Sequence, residues 1–346
     1  MMVVFYHIRI VMSDAVENWF PGWLDFLFRH GNLGVDVFFV LSGFVITHSI
    51  RDGEHTFRYL GRFALRRSIR LDPPLWTTIL LEIMLIQVSL YFYPDLGTKI
   101  PTFKQVLVNV AYLQEMLGVK NVVDAFWSLT YEVQFYIVSV TFLVFMRLIS
   151  RWDARIPWSK AFTYSLATVV YLYSIAIYHK IAPVPLRGIF LERWFQFFLG
   201  AMAWAVVHHK LRLVVYVFAW TVCLASTLVA APSGYRLESS ICALIVSPLI
   251  LWVGYSGRMA SLLHDNVSQF LGKISYSLYL LHLPIGWRFA ALMKRLAGGE
   301  FSVFTGISVW IGSIAASLIA SWFLFRMLEA PSMRFARKVK LPKSSG

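Results

Sequence analysis

Nine stretches of this chain are each long enough to cross a lipid bilayer. They lie near 33–50, 75–93, 126–148, 161–179, 189–207, 213–231, 239–256, 269–291 and 303–327. Each is a largely apolar run of roughly 17–25 residues, the length a helix needs to span the hydrocarbon layer with some tilt. A tenth run, 1–12, is too short to span. It has neither the basic leader nor the small-residue cleavage site of a signal peptide. The sequence therefore predicts an all-α integral membrane fold of about ten transmembrane helices, the first truncated. A start upstream of Met1 fits the same observation. Composition agrees: 58% of residues are hydrophobic, 14% are charged and mean hydropathy is +0.64, where a soluble domain carries about 25% charged residues.

The net charge of +14 raises the question of nucleic acid. The basic residues, however, sit in short connections between apolar runs, the pattern of cytoplasmic loops, so no nucleic-acid partner is expected. Six arginines fall between Arg51 and Arg70, and four basic residues lie between Arg147 and Lys160. Two more are Lys210 and Arg212, and a basic cluster follows Arg326. If ten helices alternate, all of these share one side and both termini are cytoplasmic. Arg288, Lys294 and Arg295 fall on the other side as an exception. The short apolar run 105–118 reads as interfacial or re-entrant. Residues 1–340 form the membrane domain, and the polar tail 341–346 is expected to be disordered. Cys223 and Cys242 lie in apolar runs without metal-ligand spacing and read as packing residues.

Ionisable groups inside spanning helices are costly and mark function by default. Here the set is His7, Asp36, Glu82, Glu132 and His282. His7 suits a general base near neutral pH, and equally a histidine bonded to a neighbouring helix. Asp36 and Glu132 could each orient His7, as a carboxylate does in a catalytic triad. Asp36, near a helix start, is also explained by the helix dipole. Glu132 shares a helical face with Ser128, near Phe135 and Tyr136, a polar stripe expected to point inward. Glu82 is protonated or paired with a partner the sequence does not reveal. In Ser275–Pro284 the serine and tyrosine hydroxyls are expected to bridge helices, ahead of a catalytic role for His282. The aromatic loop that includes Trp19, Phe20, Trp23, Phe26 and Phe28 reads as an interfacial belt, or as a lip that stacks a sugar ring.

Arg66-Arg67-Ser68-Ile69-Arg70 precedes Asp72-Pro73-Pro74. Arg67 and Arg70, three apart, project together on a helix that the prolines are expected to break. Guanidinium pairs suit phosphate oxygens through forked hydrogen bonds. Topology and anionic headgroups account for the number of arginines but not for this spacing.

Five stretches taken together resemble acyltransferase family 3. They are Val3–His7, Gly34–Phe44, Arg66–Pro73, Trp127–Tyr136 and Ser275–His282. The resemblance implies an integral-membrane enzyme that moves an acyl group, commonly acetyl from acetyl-CoA, to a hydroxyl of a glycan such as O-antigen, exopolysaccharide or peptidoglycan. It implies a multi-pass protein of the bacterial inner membrane. His7 would be the essential histidine, and Arg67 and Arg70, with Arg66 beside them, would hold the donor. Direct attack by the acceptor and an acyl-histidine relay both fit. One departure is that the family arginine eleven residues before the histidine has no counterpart here. A transporter of glycan or lipid, and an inactive scaffold, are the competing readings. No metal is implied.

Overall fold

The computed structural model describes residues 1–12, 20–94, 98–152, 158–298 and 301–342, with the side chains of 150–152, 158–164 and 260 left out. Among the described residues there are helices and turns and no strand. Six helical stretches are long and apolar enough to cross a membrane: Gly31–Ile50, Phe57–Phe92, Asp124–Ile149, Leu213–Ala230, Tyr235–Tyr255 and Val303–Lys338. Three shorter apolar helices are Met2–Val11, Ser165–Tyr178 and Trp194–Val207. A polytopic chain must close its backbone hydrogen bonds within each segment, and a helix does so. The chain is a multi-pass membrane protein. Trp19 and the end of the tail, 343–346, lie outside the described residues.

The chain divides into two compact units. The first comprises Met1–Gly34, Arg67–Trp127 and Leu263–Lys338. It holds α1 (Met2–Val11) and α2 (Gly22–Arg29). Val4, Ile8 and Met12 recur every four residues and are fully or nearly fully buried against Leu278, Ala290 and Val309. That spacing puts them on one face, which is why ten residues suffice to dock α1. Gly31 allows the close fit, since a Cβ there would collide with the Met2 carbonyl. Beyond α1, Asp25 is clamped by Arg9 at 2.7 Å and Arg29 at 2.6 Å. Trp23 and Phe26 are exposed while Phe28 is buried.

The arginine segment corrects one expectation. Pro73 and Pro74 do not break the helix: α3 (Gly34–Ile50) is followed by α4 (Phe57–Phe92), 36 residues that run through both prolines. Hydroxyls from neighbouring segments hold the residues just before the prolines, and prolines are tolerated within membrane helices generally. Tyr276 donates to the Leu71 carbonyl at 2.7 Å, Tyr112 donates to Asp72 at 2.9 Å, and Leu75 is buried. The run 105–118 contributes only the eight-residue α5 (Phe103–Val110), too short to span.

The second unit comprises Val35–Arg66, Ser128–Leu262 and Val339–Gly346. It contains α6 (Trp127–Trp152), α7 (Trp158–Tyr178), α8 (Trp194–Val207), α9 (Leu213–Ala230) and α10 (Tyr235–Tyr255). Helices α3 and α8 cross at two glycines. A Cβ on Gly43 would meet the Phe197 carbonyl, and one on Gly200 the Val40 carbonyl. Small residues let membrane helices approach backbone to backbone, where packing replaces the hydrophobic drive. The core around this crossing includes Val40, Phe44, Phe195, Leu199 and Ala203.

The first unit closes with α11 (Asn266–Leu281), α12 (Arg288–Leu296), α13 (Val303–Leu324) and α14 (Ala330–Lys338). Two π-helical turns interrupt this part, His282–Trp287 and Phe325–Glu329. Single π turns inside helices recur at functional sites. Both carry an ionisable residue inward: His282 and Glu329 are 1% and 3% exposed.

Candidate active site

His7 is placed by the buried stripe of α1. Its Nδ1 lies 2.9 Å from the Val3 carbonyl, one turn back, and 3.1 Å from His282 Nε2. The two rings have centroids 5.0 Å apart, and Tyr6 stands edge-on to His7 at 5.1 Å. The carboxylate of Asp124, in the 3-10 turn Asp124–Phe126 at the head of α6, acts electrostatically on His7. Sequence reading weighed His282 mainly as a helix-bridging residue. The structure brings it to the one histidine singled out as a base. The bridging expectation holds for its neighbours: Tyr276 donates to the Leu71 carbonyl, Tyr279 bonds the Ala125 carbonyl at 2.5 Å, and Ser277 donates to Glu329 at 2.6 Å.

The π turn explains why His282 points inward. A five-residue turn would give the Tyr279 carbonyl a donor from residue 284, but Pro284 has no N–H. His282 Nδ1 lies 2.7 Å from that carbonyl and 3.2 Å from the Leu278 carbonyl. Gly286 lets this turn lie against α13, because a Cβ there would collide with the Ser317 hydroxyl.

Glu82 is paired, and its partner is the arginine that broke the charge pattern. Arg288, first residue of α12, donates a fork to its two oxygens at 2.8 and 2.9 Å. Of its fellow exceptions, Arg295 lies over the Tyr93 ring at 4.2 Å. Lys294 extends to the Val11 carbonyl at 3.5 Å.

Arg67 and Arg70 lie on the same side of α4, three residues apart. Arg70 interacts electrostatically with Glu329, which accepts from Ser277 at both its N–H and its hydroxyl. Glu329 was missed in the sequence. It stands two residues past the apolar run that ends at 327, where the helix continues through a π turn.

Asp36 and Glu132 belong to the second unit. Asp36 is fully buried. It accepts from Gln196 at 2.7 Å, Ser239 at 2.6 Å, Tyr235 at 2.9 Å and Arg193 at 3.3 Å. The Arg193 guanidinium also lies over the Tyr178 and Tyr235 rings at 5.1 and 5.4 Å. A buried carboxylate needs such a set of donors to be tolerated. Arg193 went unremarked in the sequence although it lies inside the apolar run 189–207, and that position was its signal. Ser128, Glu132, Phe135 and Tyr136 are all buried, so the polar stripe faces inward as expected. Along the same helix Gln134 exchanges two 2.8 Å bonds with the backbone of Gly188 and Phe190. Tyr131 donates to Glu192 at 3.2 Å. Among the described residues no group of three metal-ligating side chains occurs.

These features define a multi-pass membrane protein with ionisable side chains drawn into its helices at defined places. Residues 1–326 match a family model described as an acyltransferase domain. The chain belongs to acyltransferase family 3. It is similar to the peptidoglycan O-acetyltransferase OatA of Listeria monocytogenes, 24% identical over 88% of this chain and 51% of that protein. It is also similar to the acyltransferase MdmB of Streptomyces mycarofaciens, 23% identical over 88% of this chain and 81% of that protein. The chain thus spans about half the length of OatA. No solved structure matches it.

Proposed function

We propose that this chain is a membrane O-acyltransferase that moves an acyl group, chiefly acetyl, from acyl-CoA to a hydroxyl of a glycan such as peptidoglycan, O-antigen or exopolysaccharide. Family membership and the name of the Streptomyces relative support the reaction class, and the name of the Listeria relative supports an O-linked acyl acceptor. The observation that carries the chemistry is the imidazole of His7, held by a backbone carbonyl and a second imidazole. His7 Nε2 takes the acceptor's hydroxyl proton while the oxygen attacks the thioester carbonyl. The carbon–sulfur bond breaks, and the imidazolium returns its proton to the departing thiolate. Arg67 and Arg70, with Arg66 beside them, hold the donor's phosphates by charge-assisted bonds. Asp36 and Glu132 are kept as carboxylates of the reaction by their motifs alone.

Residues 1–340 form the acyltransferase domain in this reading, with 341–346 a short tail. Ten helical segments cross the bacterial inner membrane and both termini are cytoplasmic. The six long helices and the basic connections support that arrangement. Purified protein in nanodiscs, given radiolabelled acetyl-CoA and a glycan acceptor, tests the reading. Wild type is expected to transfer label, while His7→Ala and His7→Gln bind acetyl-CoA but do not transfer. Near-normal turnover by either variant would make His7 a packing residue and refute the mechanism.

A further inference from the structure

We infer that His282 is a positioning residue for His7: it accepts a hydrogen bond from His7 Nδ1–H, which leaves His7 Nε2 as the proton acceptor. The inference rests on the acyltransferase reading for its purpose, but its proton arrangement follows from geometry alone. His282 Nδ1 faces two carbonyl oxygens, at 2.7 and 3.2 Å. A carbonyl only accepts, so that nitrogen carries a proton. His7 Nδ1 faces the Val3 carbonyl at 2.9 Å, so it too carries a proton. The same His7 Nδ1 lies 3.1 Å from His282 Nε2. Two protons cannot both point into that gap, so His282 Nε2 is bare and His282 is neutral. The His7 Nδ1–H is then shared between the Val3 carbonyl and His282 Nε2. In neutral His7, with Nδ1 protonated, Nε2 carries the free lone pair.

This assigns His282 the place that a carboxylate holds in a serine-protease triad, with one difference. A carboxylate orients its histidine and also balances the charge of the imidazolium. A neutral imidazole orients and accepts, without placing a full negative charge in a helix interior. When His7 takes the acceptor's proton at Nε2, its Nδ1–H bond to His282 becomes charge-assisted and strengthens. The interaction is therefore stronger in the transition state than in the resting enzyme, which is the condition for raising turnover rather than affinity. The Asp124 carboxylate also acts on His7. It is not bonded to the shared nitrogen, so it does not replace His282 as acceptor.

The test uses the full chain in nanodiscs. His282→Leu removes the acceptor and keeps the bulk; His282→Gln offers its side-chain oxygen near the lost Nε2. Loss of a bond that becomes charge-assisted predicts a kcat roughly 10- to 100-fold lower for the leucine variant. KM for acetyl-CoA and for the acceptor should be unchanged, and glutamine should recover most of the loss. A leucine variant within twofold of wild type overturns the inference. So does a glutamine variant as impaired as leucine with donor binding intact, or a loss carried by KM. A second readout is independent of activity. In nitrogen-15 histidine spectra, with the two residues assigned by comparing His7→Gln and His282→Gln protein, both rings should show protonated Nδ1 and bare Nε2. A protonated His282 Nε2 at neutral pH overturns the assignment. Wild type that transfers no acyl group would sink the acyltransferase reading, while the nitrogen spectrum still decides the arrangement of protons.

Discussion

Replacing Glu82 by methionine should destabilise the protein by about 3 kcal/mol, and the reason is what remains rather than what is removed. The pair is a fork, two parallel bonds of 2.8 and 2.9 Å, with side chains 12% exposed for Glu82 and 24% for Arg288. Breaking a buried ion pair by deleting one partner costs about 3–5 kcal/mol, because the other charge stays in a poor solvent. Partial exposure of Arg288 puts the expected cost at the lower end. Arg288→Met should cost a similar amount. The double variant, Glu82→Met with Arg288→Met, removes both charges and leaves apolar bulk. Such exchanges are often neutral or better, so it should lie within about 1 kcal/mol of wild type. The singles would add to about 6 kcal/mol if independent, so the cycle predicts a coupling of about 5 kcal/mol. Equilibrium unfolding in mixed micelles with increasing denaturing detergent measures all four proteins. Singles costing under about 1 kcal/mol, or a double as damaged as their sum, would show that the fork is not a closed pair.

Arg67→Ala and Arg70→Ala should each weaken acetyl-CoA binding, measured by calorimetry in nanodiscs, while expression stays normal. Lysine at either site should restore binding only in part, since a point charge lacks the fork; a double alanine variant that binds like wild type returns these arginines to topology. Asp25 supplies a pH dependence. Burial would raise its pKa, but the hydrogen bonds and charges of Arg9 and Arg29 outweigh burial and hold the carboxyl below its ordinary range. A depressed folded-state pKa contributes stability that is present above the unfolded value of about 3.9 and is lost as pH falls through the folded value. Wild type should therefore lose stability in acid below about pH 4, and Asp25→Asn, already lacking the contribution, should show a flatter acid limb in thermal unfolding. Parallel acid limbs would refute the assignment.

The apolar runs were legible because spanning length and hydropathy are written locally, and the helices fall where those runs do. What joins them was not. His7 and His282 are 275 residues apart, and Glu82 and Arg288 are 206 apart. No local period predicts such meetings. Glu82 could be recognised as needing a partner, and Arg288 as a positive charge out of place, yet nothing in the order of residues joins the two anomalies into one pair. The proline pair misled for a related reason. Pro73 and Pro74 remove donors in any chain, but the Tyr276 and Tyr112 hydroxyls that steady this stretch arrive from elsewhere. Arg193 and Glu329 were visible as letters. Glu329 escaped because it lies just past the end of an apolar run, where a charged residue reads as a boundary; Arg193 lies inside one and was passed over.

The unbroken course of α4 has a mechanical consequence. At 1.5 Å per residue its 36 residues make a rod about 54 Å long, well over the roughly 30 Å of a hydrocarbon layer. Arg70 and Glu82 ride on this rod about 18 Å apart along its axis, and the helix continues through Pro73 and Pro74 between them. Glu82 is fastened to Arg288, the residue directly after the π turn that begins at His282. A tilt of about 5° about Arg70 would carry Glu82 by about 1.6 Å, enough to stretch its 2.8 Å bond to Arg288 beyond hydrogen-bond length. Force applied where the arginines sit is thus delivered as displacement at the segment that steadies the histidine pair.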